Sequence, residues 1–319
     1  MHLLTEAGII GRLSLLPPRD ATTDEIAMVH DPDYIAQVRY IADSGGGWAD
    51  PDTFISPRSY DAALRATGGC LAATDAVLRD EIDSAFCLVR PPGHHAMPDA
   101  AMGFCLFDNI AVAARYAHRK HGIERAAIID FDIHHGNGTQ AAFYEDPSVL
   151  YFSTHQYPYY PGTGHMEETG SGAGRGTNVN VPLPAGCGDD EFRRVFAEAL
   201  EPILDRYAPQ VIFVSAGYDG HFEDPLASMS LSVAGYGEIM TFLQRKAREL
   251  ANGRLVCALE GGYHLLAEAW AVRASLEVLL GVHVTDDPFG KPSAPSGVHI
   301  DRELTAVKTL HHLTVSPQV

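Results

Sequence analysis

The stretch Ala126-Ala-Ile-Ile-Asp130-Phe-Asp132-Ile-His134-His-Gly-Asn137-Gly138 runs from four apolar residues directly into a concentration of charge. Residues 126–129 have the length and branched character of a buried strand. Successive side chains of extended chain alternate in direction, so Asp130, Asp132 and His134 share one side while Phe131 and Ile133 share the other. Two carboxylates and an imidazole at a buried strand end cost free energy unless they are paired or bound to a cation.

The same pattern recurs outward from that stretch. Short apolar runs at 85–89, 149–153, 211–215 and 255–259 alternate with helical periodicity at 109–121, 189–207, 232–251 and 265–280. Such alternation predicts an open α/β fold with a mainly parallel sheet and helices around it. Thr22 and Glu25 are spaced as a capping box, and Asp31-Pro32 opens a helix reaching about Ser44. The run from Gly170 to Gly176 lacks the Lys-Ser/Thr ending of a phosphate loop and reads as a surface loop. With no repeat or linker evident, residues 1–319 read as one domain. Residues 282–319 form an extension packed on it, in which His311-His312 reads as a solvated pair.

The net charge of −18, from 41 acidic against 23 basic side chains, repels a phosphate backbone and disfavours nucleic acid as a partner. It welcomes cationic ligands. The five cysteines are odd in number, scattered and never form C-x-x-C, so neither a disulfide framework nor a thiolate zinc site is suggested, which fits a reducing, cytoplasmic setting. No run reaches the length of a membrane span, so no membrane association is expected. Homo-oligomerisation is left open.

Four of the five strand candidates end in unusual polar groups. Val89 leads into Arg-Pro-Pro-Gly-His94-His95, Ile129 into the opening stretch, Ser215 into Ala-Gly-Tyr-Asp219, and Leu259 into Glu-Gly-Gly-Tyr263. In open α/β sheets the carboxyl ends of the strands line one crevice, so these loops are expected to converge there. Asp132, His134 and Asp219 then offer an oxygen/nitrogen ligand set with room for water, the open arrangement of a catalytic zinc. Water activation needs a proton acceptor and the leaving amine a donor, roles that His94 and His95 can fill. Asp130 is available to hold the tautomer of one of them, and Asn137 that of the other more weakly. Tyr263, after two glycines, is placed to donate to a developing oxyanion. Of the loop aromatics Phe104, Tyr157, Tyr159 and Tyr160, the first and last are the favoured walls of a narrow channel. Taken singly, each of these residues reads equally well as structural, and their joint pattern is what points to a hydrolytic site.

Arg90-Pro-Pro-Gly-His-His-Ala96, Gly103-Phe-Cys105, the 130–140 stretch, Pro161-Gly-Thr-Gly164 and Glu260-Gly-Gly-Tyr263 together resemble the histone deacetylase family over nearly the whole chain. Asn137 and Glu260 make it look like the class II and bacterial amidohydrolase branch. The resemblance implies an arginase-like fold, zinc on Asp132, His134 and Asp219 with Fe2+ as the alternative, and His94 and His95 as the acid/base pair. It also implies Tyr263 as carbonyl polariser, Phe104 and Tyr160 as channel walls, and the Gly103 carbonyl as acceptor of the substrate amide N–H. By the same analogy a structural potassium ion lies near Asp130, Asp132, His134, Ser153 and Thr154.

Two features bear on the substrate. Where acetylpolyamine-cleaving relatives can carry a carboxylate gatekeeper, this chain has Leu226, which favours N6-acetyl-lysine over an acetylated polyamine. The family usually begins with a His-Pro-Glu segment and an arginine-bearing loop ahead of the helix expected at 3–13, and neither occurs in this sequence. Arginase-type chemistry is disfavoured because a two-manganese site needs more bridging carboxylates. An inactive acyl-lysine-binding scaffold is the alternative of another class, and retention of both histidines and Tyr263 argues against it.

Overall fold

A computed structural model describes residues 1–292 and 297–313; the remaining positions, including part of the expected 282–319 extension, lie outside the described residues. In chain order the strands are β1 (Gly47–Trp48), β2 (Phe54–Ile55), β3 (Ser84–Cys87), β4 (Ala126–Asp130), β5 (Val149–Gln156), β6 (Asn178–Leu183), β7 (Val211–Ala216) and β8 (Leu255–Leu259). The helices are α1 (His2–Glu6), α2 (Thr23–Ile26), α3 (Pro32–Asp43), α4 (Ser59–Leu78), α5 (Asn109–His121), α6 (Asn137–Phe143), α7 (Asp189–Val195), α8 (Glu201–Tyr207), α9 (Val233–Leu250), α10 (Leu265–Leu279) and α11 (Asp301–Leu310). Strands β3 to β8 form one parallel sheet in the order β3-β8-β7-β4-β5-β6, and β1 pairs with β2 in a separate antiparallel ribbon.

The strands are apolar almost throughout because both faces are covered. Ala127, Ile129, Ile212, Val214, Leu255 and Cys257 face one core, packed against α9 and α10, while Ala126, Ile128, Val211, Phe213, Val256 and Ala258 face the other, packed against α4 and α5. A parallel sheet sandwiched in this way reads as continuous hydrophobic runs. The flanking helices begin and end where local chemistry dictates. Asp108 caps α5 by accepting the Ala111 N–H at 2.8 Å, and Gly122 closes it at φ +67. Thr22 and Glu25 form the expected capping box, and Asp31 caps α3.

Several expectations need correction. The 20-residue α4 lies outside the expected helices, and the poor helix formers Gly68 and Gly69 hide it; a side chain at Gly68 would collide with the backbone at 19–21, so the glycine serves close packing. Strand β6 was equally hidden, since Asn178, Asn180 and Pro182 interrupt its apolar pattern; as an edge strand it tolerates proline. The helix expected at 3–13 is α1 followed by a 3-10 turn at Ile10–Arg12, divided at Gly8, which has φ +68. The 189–207 helix contains a π-helical turn at Phe196–Leu200 between α7 and α8. The run 170–176 is a loop with Gly172, Ala173 and Arg175 exposed as expected, and within it Gly170 and Gly174 are buried, packed on each other and on the backbone of 144–146. His311 is 3% exposed, because α11 lays Ile300, Leu304 and Val307 into the main core and carries the histidine inward with them; only His312 is solvated. Among the described residues no helix is long and apolar enough to cross a membrane.

Candidate active site

The four polar strand ends belong to β3, β8, β7 and β4, which are consecutive neighbours in the sheet. Their loops therefore meet. One ligand atom each from Asp132, His134 and Asp219 lies within 4.8 Å of the others, and all three residues are buried. His134 Nδ1 is 3.2 Å from Asp132 Oδ1 and 2.9 Å from Asp219 Oδ2. Backbone donors fix the carboxylates from behind: Gly261 N–H donates to Asp132 Oδ2 at 2.8 Å and Ile133 N–H to Asp219 Oδ1 at 3.2 Å. Side chains at Gly217 or Gly261 would overlap these carboxylates, which explains glycine at both places.

Electrostatics test whether this trio suits a divalent cation. Burial and the neighbouring Asp132 charge push the Asp219 pKa well up from the usual carboxylate range. Burial opposes a charge on His134, but Asp219 and Asp132 outweigh it and raise its pKa. The trio thus holds more negative charge than its imidazole balances. Two carboxylate oxygens and a ring nitrogen are also hard-to-borderline donors, and no fourth protein ligand joins them among the described residues. The residues fit a zinc-type ion with an open position.

The histidine pair is divided between two environments. Their rings lie 4.0 Å apart. His94 is turned toward Asp130, with Nδ1 3.1 Å from Oδ2 and Nε2 3.9 Å from Asp132 Oδ2. Burial disfavours its charge, yet Asp130 and Asp132 prevail and hold its pKa well above the ordinary value. His95 instead places Nδ1 2.8 Å from Asn137 Oδ1, a neutral partner, and burial followed by the His94 charge drives its pKa well down. Only His95 of the two lines the cavity over the ligand trio.

That cavity, about 230 Å³, is walled by Phe104, Tyr159, Tyr160, Gly103, Leu226 and Tyr263 and floored by His95 and His134. Phe104 and Tyr160 stand where expected; Tyr159 joins them, and its hydroxyl donates to the Leu226 carbonyl at 2.9 Å. Tyr157 does not, and pairs with His165 instead. Phe104 sits at φ +66, an uncommon conformation for a bulky residue, held by its N–H donating to Thr53 Oγ1 at 3.0 Å. The Tyr263 ring is 6.0 Å from Phe104 and 6.5 Å from His134. Burial, then Asp219 and Asp132, raise its pKa far above the ordinary value, so the phenol keeps its proton. The potassium candidates also cluster: Ser153 is paired with Asp130 across β4 and β5, and Thr154 Oγ1 donates to the Asp130 carbonyl at 3.4 Å. A larger cavity, about 1010 Å³, borders β3 and contains none of these residues.

Three polar residues were given no role from sequence. Glu260 is fully buried; Oε2 accepts the Gly93 and His94 N–H groups at 2.6 and 3.2 Å, and Oε1 accepts the Ser215 hydroxyl at 3.1 Å. Burial pushes its pKa up to about 7. A carboxylate ending an apolar strand was the available signal. Asp52 lines the cavity and accepts the Gly103 N–H at 3.2 Å, and Asp224 accepts the Tyr263 N–H at 2.7 Å. Neither stands in a pattern that marks it.

Comparison with known proteins identifies the family. The histone deacetylase domain matches residues 1–279. The "Histone deacetylase-like amidohydrolase" of Pseudomonas aeruginosa is 42% identical over 283 residues, covering 88% of this chain and 74% of that protein. The human "Polyamine deacetylase HDAC10" is 36% identical over 305 residues, covering 92% of this chain and 44% of that longer one. The crystal structure of the HDA15 HD domain superposes with a TM-score of 0.88 at 35% identity, covering 97% of this chain and 84% of that one. The chain belongs to the histone deacetylase family.

Proposed function

We propose that the protein hydrolyses the amide of N-acetylated amines, with N6-acetyl-lysine as the first substrate, using zinc held by Asp132, His134 and Asp219. The observation that supports this reading is that His95 and Tyr263 line one narrow cavity together with His134 of the ligand trio. Zinc there supplies Lewis acidity toward water and the amide carbonyl. Fe2+ suits the same donors and is the alternative metal.

The chain's own residues account for the proton traffic. His95 presents a neutral ring with Nδ1 engaged by Asn137, which leaves Nε2 to take a proton from the attacking water and return it to the departing amine. His94, tied to Asp130, keeps positive potential beside the developing charge. Tyr263 donates its phenolic proton's hydrogen bond to the carbonyl oxygen as it becomes negative. Phe104 and Tyr160 exclude water and align the aliphatic arm, and the Gly103 carbonyl accepts the amide N–H. The C–N bond breaks to give acetate and a free amine. Potassium near Asp130, Asp132, His134, Ser153 and Thr154 would brace the strand ends.

An acetylated polyamine is the second substrate reading, supported by the net charge of −18 and by similarity to a polyamine deacetylase, whereas Leu226 favours acetyl-lysine. A panel of acetyl-lysine peptide, acetylputrescine and acetylspermidine, run with and without chelator beside elemental analysis, decides between them. Turnover of at least one amide that chelation abolishes is expected. Metal-replete protein that binds these compounds and cleaves none would assign the site to an inert binder.

A further inference from the structure

The loop that carries Tyr263 has few anchors of its own. Gly261 and Gly262 precede the tyrosine, with Gly262 at φ +147, and glycine gives the backbone its widest freedom. Gly261 is fixed by its N–H on Asp132 Oδ2 and by its carbonyl, which accepts the Tyr218 N–H at 2.8 Å. Both bonds lie before the permissive Gly262. Beyond it, the N–H groups of Tyr263 and His264 both donate to one oxygen, Asp224 Oδ2, at 2.7 and 3.0 Å.

The other Asp224 oxygen accepts the Leu226 N–H at 2.9 Å, and the Asp224 N–H donates to the His221 carbonyl at 2.8 Å. The side chain is 7% exposed. One carboxylate therefore clamps the tyrosine loop to the loop that follows Asp219, through bonds to an ionised acceptor that are stronger than neutral ones. Asp219 does not depend on it, since its oxygens are engaged by Ile133 N–H and His134 Nδ1.

We infer that Asp224 is a positioning residue for Tyr263: through the backbone it sets the height of the phenol against the acyl carbonyl. This rests on the reading of Tyr263 as the carbonyl's hydrogen-bond donor. An asparagine at 224 has one neutral acceptor atom for N–H groups on two sides, so the Tyr263 and His264 N–H groups either lose it to Leu226 or keep a weaker bond, and in both cases the Gly-Gly-Tyr segment loosens. A displacement of about 1 Å at a reacting group costs up to about 100-fold in rate.

The test compares Asp224→Asn, Tyr263→Phe and the double variant on an acetyl-lysine and a trifluoroacetyl-lysine peptide, with bound zinc measured in each. The trifluoromethyl group makes the carbonyl electron-poor, so attack on it needs the phenol less. Expected for Asp224→Asn is a loss in kcat of roughly 10- to 100-fold on the acetyl peptide, with KM and zinc content unchanged. On the trifluoroacetyl peptide the loss shrinks, in parallel with Tyr263→Phe, and the double variant is no slower than Tyr263→Phe alone. Equal losses on both acyl groups, loss of zinc, or losses that multiply in the double variant overturn the inference. So does unchanged turnover in Asp224→Asn beside an impaired Tyr263→Phe; unchanged turnover in Tyr263→Phe instead removes the reading of the tyrosine itself. If the asparagine variant does not fold, Asp224→Glu keeps both acceptors and shifts them by one methylene. The same acyl-dependent loss is expected, and an equal loss on both peptides counts against.

Discussion

His95 Nδ1 meets Asn137 Oδ1 at 2.8 Å, so the imidazole that faces the cavity is oriented by a neutral amide and not by a charge. Burial and the His94 charge already hold its pKa well below the ordinary value. Asn137→Asp places an anion at that distance and should raise the ring's pKa by about one to three units. If His95 is the base, the acidic limb of the kcat/KM profile moves upward in pH by a like amount. An unmoved limb would transfer the role to another group.

Metal removal should destabilise as well as inactivate. Extraction leaves three buried ligands with unbalanced charge, and a ligand bound a thousandfold above its Kd contributes about 4 kcal/mol. Calorimetry of chelated against zinc-loaded protein should show Tm lower by on the order of ten degrees. Equal Tm values would mean that the trio does not hold the ion.

Gly261→Ala should act on the metal rather than on the fold. Its new methyl group would overlap the Asp219 and Asp132 carboxylates, while the strand before it stays intact. Zinc affinity measured by competition with a chromogenic chelator should fall about 10- to 100-fold, with little change in circular dichroism. Full affinity would show that the loop can yield.

Acid lability is expected from His30, away from the site. Its Nδ1 is 3.0 Å from the Met97 carbonyl and its Nε2 accepts the Asp108 N–H at 2.9 Å, which fixes the neutral ring. Burial lowers its pKa from 6.5 to about 4. A base with a depressed folded pKa contributes stability that is complete above 6.5 and lost as the pH falls toward 4, here about 3 kcal/mol. Urea midpoints measured from pH 7 to pH 4.5 should fall, and His30→Gln should flatten that slope while lowering stability at pH 7. An unchanged slope in the variant would assign the lability elsewhere.

How far the sequence could be read follows from where each signal lies. The motif residues were legible because a charge placed at the end of an apolar run has no cheap structural explanation: Asp132, His134 and Asp219 come together as their positions implied. Helix α4 was not legible, because Gly68 looks like a breaker until the 19–21 backbone is seen lying against it. Asp224 was opaque for another reason, as was the role of Glu260, although its place at a strand end was visible. Their partners are backbone N–H groups 39 and 167 residues away, and backbone donors leave no mark in the sequence.

The strand order carries a consequence for biosynthesis. Among the described residues β8 is the last strand of the sheet to emerge, yet it is the only neighbour of β3 and lies between β3 and β7. Until residues 255–263 have left the ribosome, the histidine loop keeps its contacts to Asp130 and Asn137 but lacks the strand beside β3, the Glu260 carboxylate that accepts its Gly93 and His94 N–H groups, and Tyr263. A nascent or clipped polypeptide ending earlier would hold part of the cleft but no complete chemistry, so activity arrives only with the finished sheet.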